Sequence, residues 1–439
     1  MKKTLAFILA LIMLAAILTG CSQTDNPSTS PAAPAESSSS ELSSASEPVE
    51  LTVWAWDVNF NGAALAIADK LYEGATINMV EMAKADVLAK VHTVLAGGST
   101  EDLPDIVLIG DLSAPAYFMS YDQPFKEMTD IIDYDDFADY KKQSVCYEGK
   151  YYGVPFDTGV AGMYYRTDYF EEAGYTMEQI QAGITWDEYI EAGKKIRENG
   201  HYLTTLNPGD LSLFQIMLQS CGSWYTDENG EPNLVGNDAL KECFEIFGEL
   251  QNSGVAKKIS DWSEYAAALN GGEVAATVSG GWLNATIMAE EADSGKWAIA
   301  PVPKMSTAGG TNYSNQGGSS WYVMSSSENA EVAADFLAKT FAGSTELYDE
   351  LLETKSIMGT YLPASDVPAY EITSDYFSGL PVNKNFAEWL SKVPEVNYGA
   401  YSFETQSILV PVLADYLDGA DIDTCLQTAQ DQLTALIEG

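Results

Sequence analysis

The residues that could do chemistry in this 439-residue chain are mostly acids and aromatics. There are two histidines, His92 within an apolar-periodic stretch and His201 in a polar turn, and neither has the spacing of a metal ligand or a catalytic triad; both read as structural or solvated. A G-x-S-x-G elbow, a P-loop and H-E-x-x-H are all absent, which leaves nucleophilic, nucleotide and zinc-protease chemistry without support. With 64 Asp plus Glu, some pair of carboxylates will always fall at the separation a glycosidase uses, so acid pairs carry no information here. The informative pattern is aromatic rings beside Gly, Asp or Asn in loop-like places. These are "VWAWD" (Trp54, Trp56, Asp57), "CGSWYTD" (Trp224), "SGGWLN" (Gly281, Trp282), "GGSSWYV" (Trp321) and "VNYGAYSF" (Tyr398, Tyr401). A sugar ring has an apolar C–H face and a fringe of hydroxyls. Aromatic platforms suit the face, and carboxylates or amides suit the fringe. Trp54, in mid-strand, reads as core. Trp282 follows a Gly pair that lets backbone approach a ligand, and reads as functional.

Elements of two kinds must hold these residues. "ELTVWAWDV", ending at Asp57, and "LPDIVLIGD", ending at Asp111, are apolar runs typical of buried parallel strands. Between them "GAALAIADKLYEG" and "KADVLAKVHTVLAGG" have helical spacing, the second stopping at a Gly pair. "TWDEYIEAGKKIRENG" opens with a capping box, Thr185 and Glu188, and puts Trp186, Tyr189, Ile190 and Ile196 on one stripe. "SENAEVAADFLAKTFAG" predicts another helix, capped by Ser327, with Val332, Phe336 and Leu337 inward. Strand and helix in alternation indicate an α/β body with ligand sites at strand C-terminal ends. Its length is too great for one core, so two lobes are expected.

The N-terminus decides where this body works. Lys2 and Lys3 precede an uncharged run from Thr4 to Gly20, as in a secretory leader. A tilted membrane span is the alternative. The residues "LTGC" (Leu18 to Cys21) resemble the bacterial lipoprotein signal, in which the cysteine receives a diacylglycerol. The Ser/Pro-rich segment that follows has almost no bulky apolar residue and reads as a disordered tether. As a flexible coil its roughly 27 residues would span about 30 Å. The formal charge of −42 opposes phosphate backbones and anionic headgroups, so nucleic acid is excluded as a partner. Cys146, Cys221, Cys243 and Cys425 match no zinc spacing and read as free buried thiols, with Cys221 and Cys243 the simplest pair if any forms. No cofactor and no metal is called for.

Taken in order, the lipoprotein signal, the tether, "ELTVWAWD", "LPDIVLIGD", "YEGKYYGVPFDTGVAGMYYRTDYFEEAGY", "VSGGWLNATI", "KWAIAPVPK" and "GGSSWYVMSSSENAEVAADFLAKTF" resemble the extracellular solute-binding protein family 1, the sugar-capturing lipoproteins of bacterial ABC importers. The resemblance runs over nearly the whole mature chain. It implies a two-lobed periplasmic-binding-protein-like fold (type II), with a hinge and an interlobe cleft. The expected divisions are a signal peptide (1–20), a tether (21–48), the N-terminal lobe (49–157), the C-terminal lobe (158–315), a return segment to the N-terminal lobe (316–358) and final C-terminal-lobe helices (359–439). "GVPFDTGV" would enter a Pro turn and cross the hinge, with Asp157 on the cleft floor. Trp56, Asp57, Asp111, Asp157, Gly281, Trp282, Trp321, Tyr398, Tyr401 and Trp224 are the implied solute contacts, the two tyrosines on the weakest match. The resemblance further implies a monomer, not an enzyme, lipid-anchored through Cys21 to the outer face of the bacterial cell membrane, delivering a sugar to ABC permease subunits. Without a Walker motif, the ATPase is a separate chain. The residues alone leave open a peptide or polyamine as solute, a surface glycoside hydrolase, and an adhesin.

Overall fold

The computed structural model describes residues 48–438; the leader, Cys21 and the tether lie outside the described residues. A mixed sheet links the whole body. β1 (Val49–Ala55) lies between β2 (Ala75–Glu81) and β3 (Ile106–Gly110), parallel to both, with Val53 opposite Met79 and Ile106. α1 (Ala63–Lys70) and α2 (Lys84–Gly97) provide the crossovers. β3 is buried at every position, as its unbroken apolar run requires of a parallel strand covered on both faces.

Two longer strands carry the chain between lobes. The crossing strand, Gly153–Arg166, pairs through its first half with the return strand, Asn315–Val323, which in turn lies antiparallel to β3. Through its second half it pairs with Ala276–Gly280 on one side and Trp297–Ala300 on the other. No turn forms at Pro155, contrary to expectation. Pro155 sits opposite Ser320, where the register slips between Ser319 and Ser320. Proline lacks the N–H a regular ladder needs, and a bulge is where a strand tolerates it. The strand therefore runs straight through.

Buried side chains form distinct clusters on either side of these strands. One collects β1 to β3, Phe156, and Trp321 through Leu351. Two others, built from Met163 through Met305 and from the C-terminal helices, fill the second lobe. The capping box at Thr185 forms, and Trp186, Tyr189, Ile190 and Ile196 are all buried. Ser327 does not cap its helix, Ala330–Lys339. Asn329 occupies the cap position, and the Ser327 hydroxyl accepts from the Asn329 N–H while donating to Asp105. All four cysteines of the body are free thiols. Among the described residues no helix is long and apolar enough to cross a membrane.

Candidate functional site

The loop after β1 presents the first candidates. Asp57 has a φ of 56°, a left-handed conformation that Asp tolerates better than most side chains. Its Oδ1 accepts from the N–H groups of Asn59 (3.0 Å) and Phe60 (3.1 Å), capping the short turn Val58–Gly62. Asp57 is exposed and lines the smaller of two cavities. Trp56 is half-buried, and the Lys84 ammonium lies 5.4 Å from its ring centroid, within cation–π range.

The hinge contributes a second acidic group. Asp157, on the crossing strand and partly exposed, accepts at Oδ1 from the Ser319 N–H (2.6 Å) and hydroxyl (2.5 Å) of the return strand. Behind it Asp111 is 2 % exposed and Lys141 fully buried, their charges 2.5 Å apart. Asp111 also accepts from Ser320 Oγ (3.0 Å), and Lys141 donates to the Ser319 carbonyl (3.0 Å). Burial raises the Asp157 pKa above the ordinary value of 3.8, and so does neighbouring Asp111, while Lys141 and Ser319 oppose the shift. Gly318, at φ 102°, makes this packing feasible: a Cβ there would stand 2.6 Å from Asp111 Oδ2.

Trp282 comes from the other lobe. The strand Ala276–Gly280 ends in a single turn, Gly281–Leu283, which leaves the indole 43 % exposed. Its Nε1 donates to the Gln316 carbonyl on the hinge (3.0 Å), while Gln316 Oε1 accepts from Ser279 Oγ and the Gly280 N–H. A Cβ on Gly280 would lie 2.4 Å from that Nε1, so only glycine lets the ring fold back against the strand. Trp56, Asp57, Asp157 and Trp282, with Phe60, Asn61, Lys84, Gly318 and Ser319, enclose a cavity of about 190 Å³ between the lobes. Trp282 also walls a second cavity of about 330 Å³, set mainly in the C-terminal lobe.

The remaining candidates stand elsewhere, and the expectation that they face a solute is corrected. Trp321 is fully buried between Phe156 and Phe341, each ring 5.4 Å away, in the N-terminal core. Trp224 donates from Nε1 to Ser402 Oγ (2.8 Å) and meets Tyr398 edge-on. Tyr398 in turn donates to Gln219 (3.0 Å) and is buried. These three rings are buried and line neither of the two cavities. Tyr401 packs partly buried against the same core at the start of the helix Ser402–Leu417. A Cβ on Gly281 would stand 3.5 Å from the Phe386 ring, and both oxygens of the Asp111 carboxylate are held by Lys141 and Ser320. Trp54 is core as expected, while His92 pairs with Tyr121 and His201 stacks on Tyr169, outside the two cavities. Sequence reasoning missed Trp262, 53 % exposed on the helix Trp262–Asn270, its ring centroid 6.0 Å from Trp282. The only signal was a tryptophan immediately after a capping Asp261. Among the described residues no cluster of three or more His, Cys, Asp or Glu could hold a metal ion.

Two lobes joined by crossing strands, with an aromatic and two carboxylates meeting between them, have the architecture of a solute-binding protein. Residues 63–375 match the model of the bacterial extracellular solute-binding protein family, and the chain belongs to that family. It is 41 % identical over 394 residues to a lactose-binding protein of Rhizobium radiobacter, covering 89 % of this chain and 93 % of that one. An arabinooligosaccharide-binding protein of Halalkalibacterium halodurans is 29 % identical over 294 residues, 64 % of this chain and 63 % of the relative. The sugar-binding protein MalE from Xanthomonas citri shares the fold with a TM-score of 0.73 at 17 % identity, over 88 % of this chain and 96 % of that one.

Proposed function

We propose that this chain captures a small saccharide between its lobes for an ABC importer. The observation that carries the reading is the half-exposed Trp282 ring standing across the cleft from Asp57 and Asp157. The indole stacks on the C–H face of a sugar, the carboxylates accept from its hydroxyls, and Lys84 and Trp56 close the opposite side. Rotation about the two hinge strands then traps the solute, as in hinged domain closure generally. The named solutes of the relatives, lactose and arabino-oligosaccharides, support a neutral saccharide over a charged solute. The 93 % coverage of the lactose-binding relative makes lactose the first compound to try.

The same reading places the protein outside the cytoplasmic membrane, as a monomer held by a lipid on Cys21 after removal of residues 1–20 and delivering its solute to separate permease subunits. Titration calorimetry against a saccharide panel tests the solute class. Saturable binding of lactose or another saccharide is expected, whereas binding of a polyamine or peptide alone would overturn the proposal. Trp282→Ala should weaken saccharide binding about 30-fold, the roughly 2 kcal/mol of a buried aromatic contact, without unfolding the protein. Cells fed a labelled fatty acid should label the parent chain and not Cys21→Ala; equal labelling removes the anchor from the account.

A further inference from the structure

The crossing and return strands lose their regular ladder where they pass between the lobes. Asn315 pairs with Val160 and Gly318 with Thr158, so Gln316 and Gly317 bulge from the return strand opposite Gly159. A Cβ on Gly159 would stand 2.1 Å from the Gln316 carbonyl, and Gly317 and Gly318 have φ values of 103° and 102°, so the bulge needs glycine at each place. Side chains replace the missing backbone bonds. Asn315 Oδ1 accepts from the Gly159 N–H (3.0 Å), Asn315 Nδ2 donates to the Gly317 carbonyl (2.7 Å), and Thr158 Oγ1 accepts from the Val160 N–H (3.0 Å). On its N-terminal side the crossing strand is held firmly: the Thr360 N–H donates to the Phe156 carbonyl (3.0 Å), and the Thr158 N–H donates to the Met358 carbonyl (3.3 Å). A change of angle between the lobes is therefore absorbed at Gly159 and the bulge opposite it.

A helix outside the strands grips this point. Asp139–Val145 is seven residues long, yet two consecutive side chains on it serve opposite lobes. Lys141, fully buried, pairs with Asp111 and donates to the Ser319 carbonyl, which ties it to the N-terminal lobe. Tyr140 is 2 % exposed and belongs to the C-terminal-lobe cluster of Val160, Tyr164, Phe386 and Trp389. Its hydroxyl shares a hydrogen bond with Thr158 Oγ1 (2.5 Å). Thr158 Oγ1 thus joins Tyr140 to the Val160 N–H across Gly159. With Lys141 fixed, Tyr140 cannot follow a rotating C-terminal lobe, so its contacts there change whenever the lobes rotate.

We propose that the helix Asp139–Val145 is a strut that sets the angle between the lobes, with the Tyr140–Thr158 hydrogen bond as the latch holding the angle of this structure. The inference concerns the hinge alone and is independent of what the solute is.

The test is the distance between the lobes in the solute-free full chain. Nitroxides on p-acetylphenylalanine in place of the exposed Glu101 and Glu172, one in each lobe, leave the native cysteines unlabelled, and double electron–electron resonance reads the distance distribution. Tyr140→Phe should shift the ratio of the two interlobe populations roughly two- to tenfold, the worth of one hydrogen bond. In a Thr158→Val background the same substitution should produce no further shift, and Thr158→Ser should keep the parental distribution. Tyr134→Phe is the control: it removes a buried hydroxyl that donates to the Gly153 carbonyl (2.8 Å) within the N-terminal lobe, and should leave the distribution unchanged. Thermal melts verify that each variant folds. A parental distribution in Tyr140→Phe overturns the latch, as does an equal shift in the Thr158→Val background. An equal shift in Tyr134→Phe overturns it too, because any lost hydroxyl would then loosen the hinge.

Discussion

Replacing Asp157 by Asn separates binding from folding in a way few substitutions can. The hinge cluster of Asp111, Lys141 and Asp157 carries two formal negative charges and one positive. Neutralising Asp157 leaves a balanced Asp111–Lys141 pair, and the amide oxygen still accepts from the Ser319 N–H and hydroxyl, which now hold Asp157 at 2.6 and 2.5 Å. The raised pKa makes the sign explicit. A carboxyl whose folded pKa exceeds its unfolded value binds protons more readily when folded, so the charged form costs stability at neutral pH and that cost is relieved as pH falls through the raised value. Asp157→Asn should therefore melt at or slightly above the parent at pH 7. Saccharide affinity should fall, because a hydrogen bond to a charged acceptor contributes about 1.5–3 kcal/mol, or about 10- to 150-fold. The parent should also lose affinity on acidification, starting above the ordinary carboxylate value of 3.8, and the Asn variant should lack that component. Calorimetric titrations at several pH values, with melting curves on the same samples, measure all three. Parental affinity in the Asn variant, or an unchanged pH dependence, would refute the role given to Asp157; affinity lost only together with stability would reduce it to a hinge residue.

Three further outcomes follow from the same packing. Lys141→Met leaves the buried Asp111 carboxylate without its ion-pair partner and should destabilise by about 3–5 kcal/mol, lowering the calorimetric midpoint by about 4–6 °C; an unshifted midpoint would refute a stabilising role for the pair. Gly318→Ala places a methyl 2.6 Å from Asp111 Oδ2 at a φ of 102°, and should cost about 1–3 kcal/mol and weaken every ligand alike, which melts and titrations would detect. For Glu242, burial pushes the pKa up, but hydrogen bonds from the backbone and hydroxyls of Ser306 and Thr307 outweigh it and hold it below 4.5. Its stabilisation is present above 4.5 and lost as pH falls through the lowered value, so Glu242→Gln should flatten the acid side of a melting-temperature profile over that interval.

What could be read from the chain was whatever local chemistry decides. The run "DIVLIGD" is a buried strand because no polar residue interrupts it, and Thr185 with Glu188 closes a capping box within four residues. The turn positions of Asp57 and Trp282 were legible for the same reason: each sits where an apolar strand gives way to a short turn, and in each case the side chain is exposed. Asp111 follows the same local rule, ending a strand as Asp57 does, yet its fate is opposite. The partners that bury it, Lys141 and Ser320, lie 30 and 209 residues away, and no spacing in the sequence connects them.

The aromatics divide along the same line, and they show why tryptophan beside glycine is a weak marker. Trp321 follows "GGSS", but the strand it belongs to continues through Tyr322 and Val323, and pairing with Leu108 and Val154 carries it into the core. Trp282 follows "SGG", but its strand stops at Gly280, so the ring has no ladder to follow and swings onto Gln316. The distinguishing variable is whether the strand continues past the ring. Trp262 extends that logic to helices. Asp261 caps the helix through the Glu264 N–H, which fixes Trp262 in the first turn, where there is no preceding turn to cover it. The position alone does not expose a ring, because Trp186 stands at the same place after its capping Thr185 and is buried; the side chains around Trp262, from residues 204–212 and 277–279, come together only in the folded lobe. The cleft turns at Asp57 and Trp282 were therefore written in consecutive residues, while the cavity beside Trp262 is written in contacts between segments.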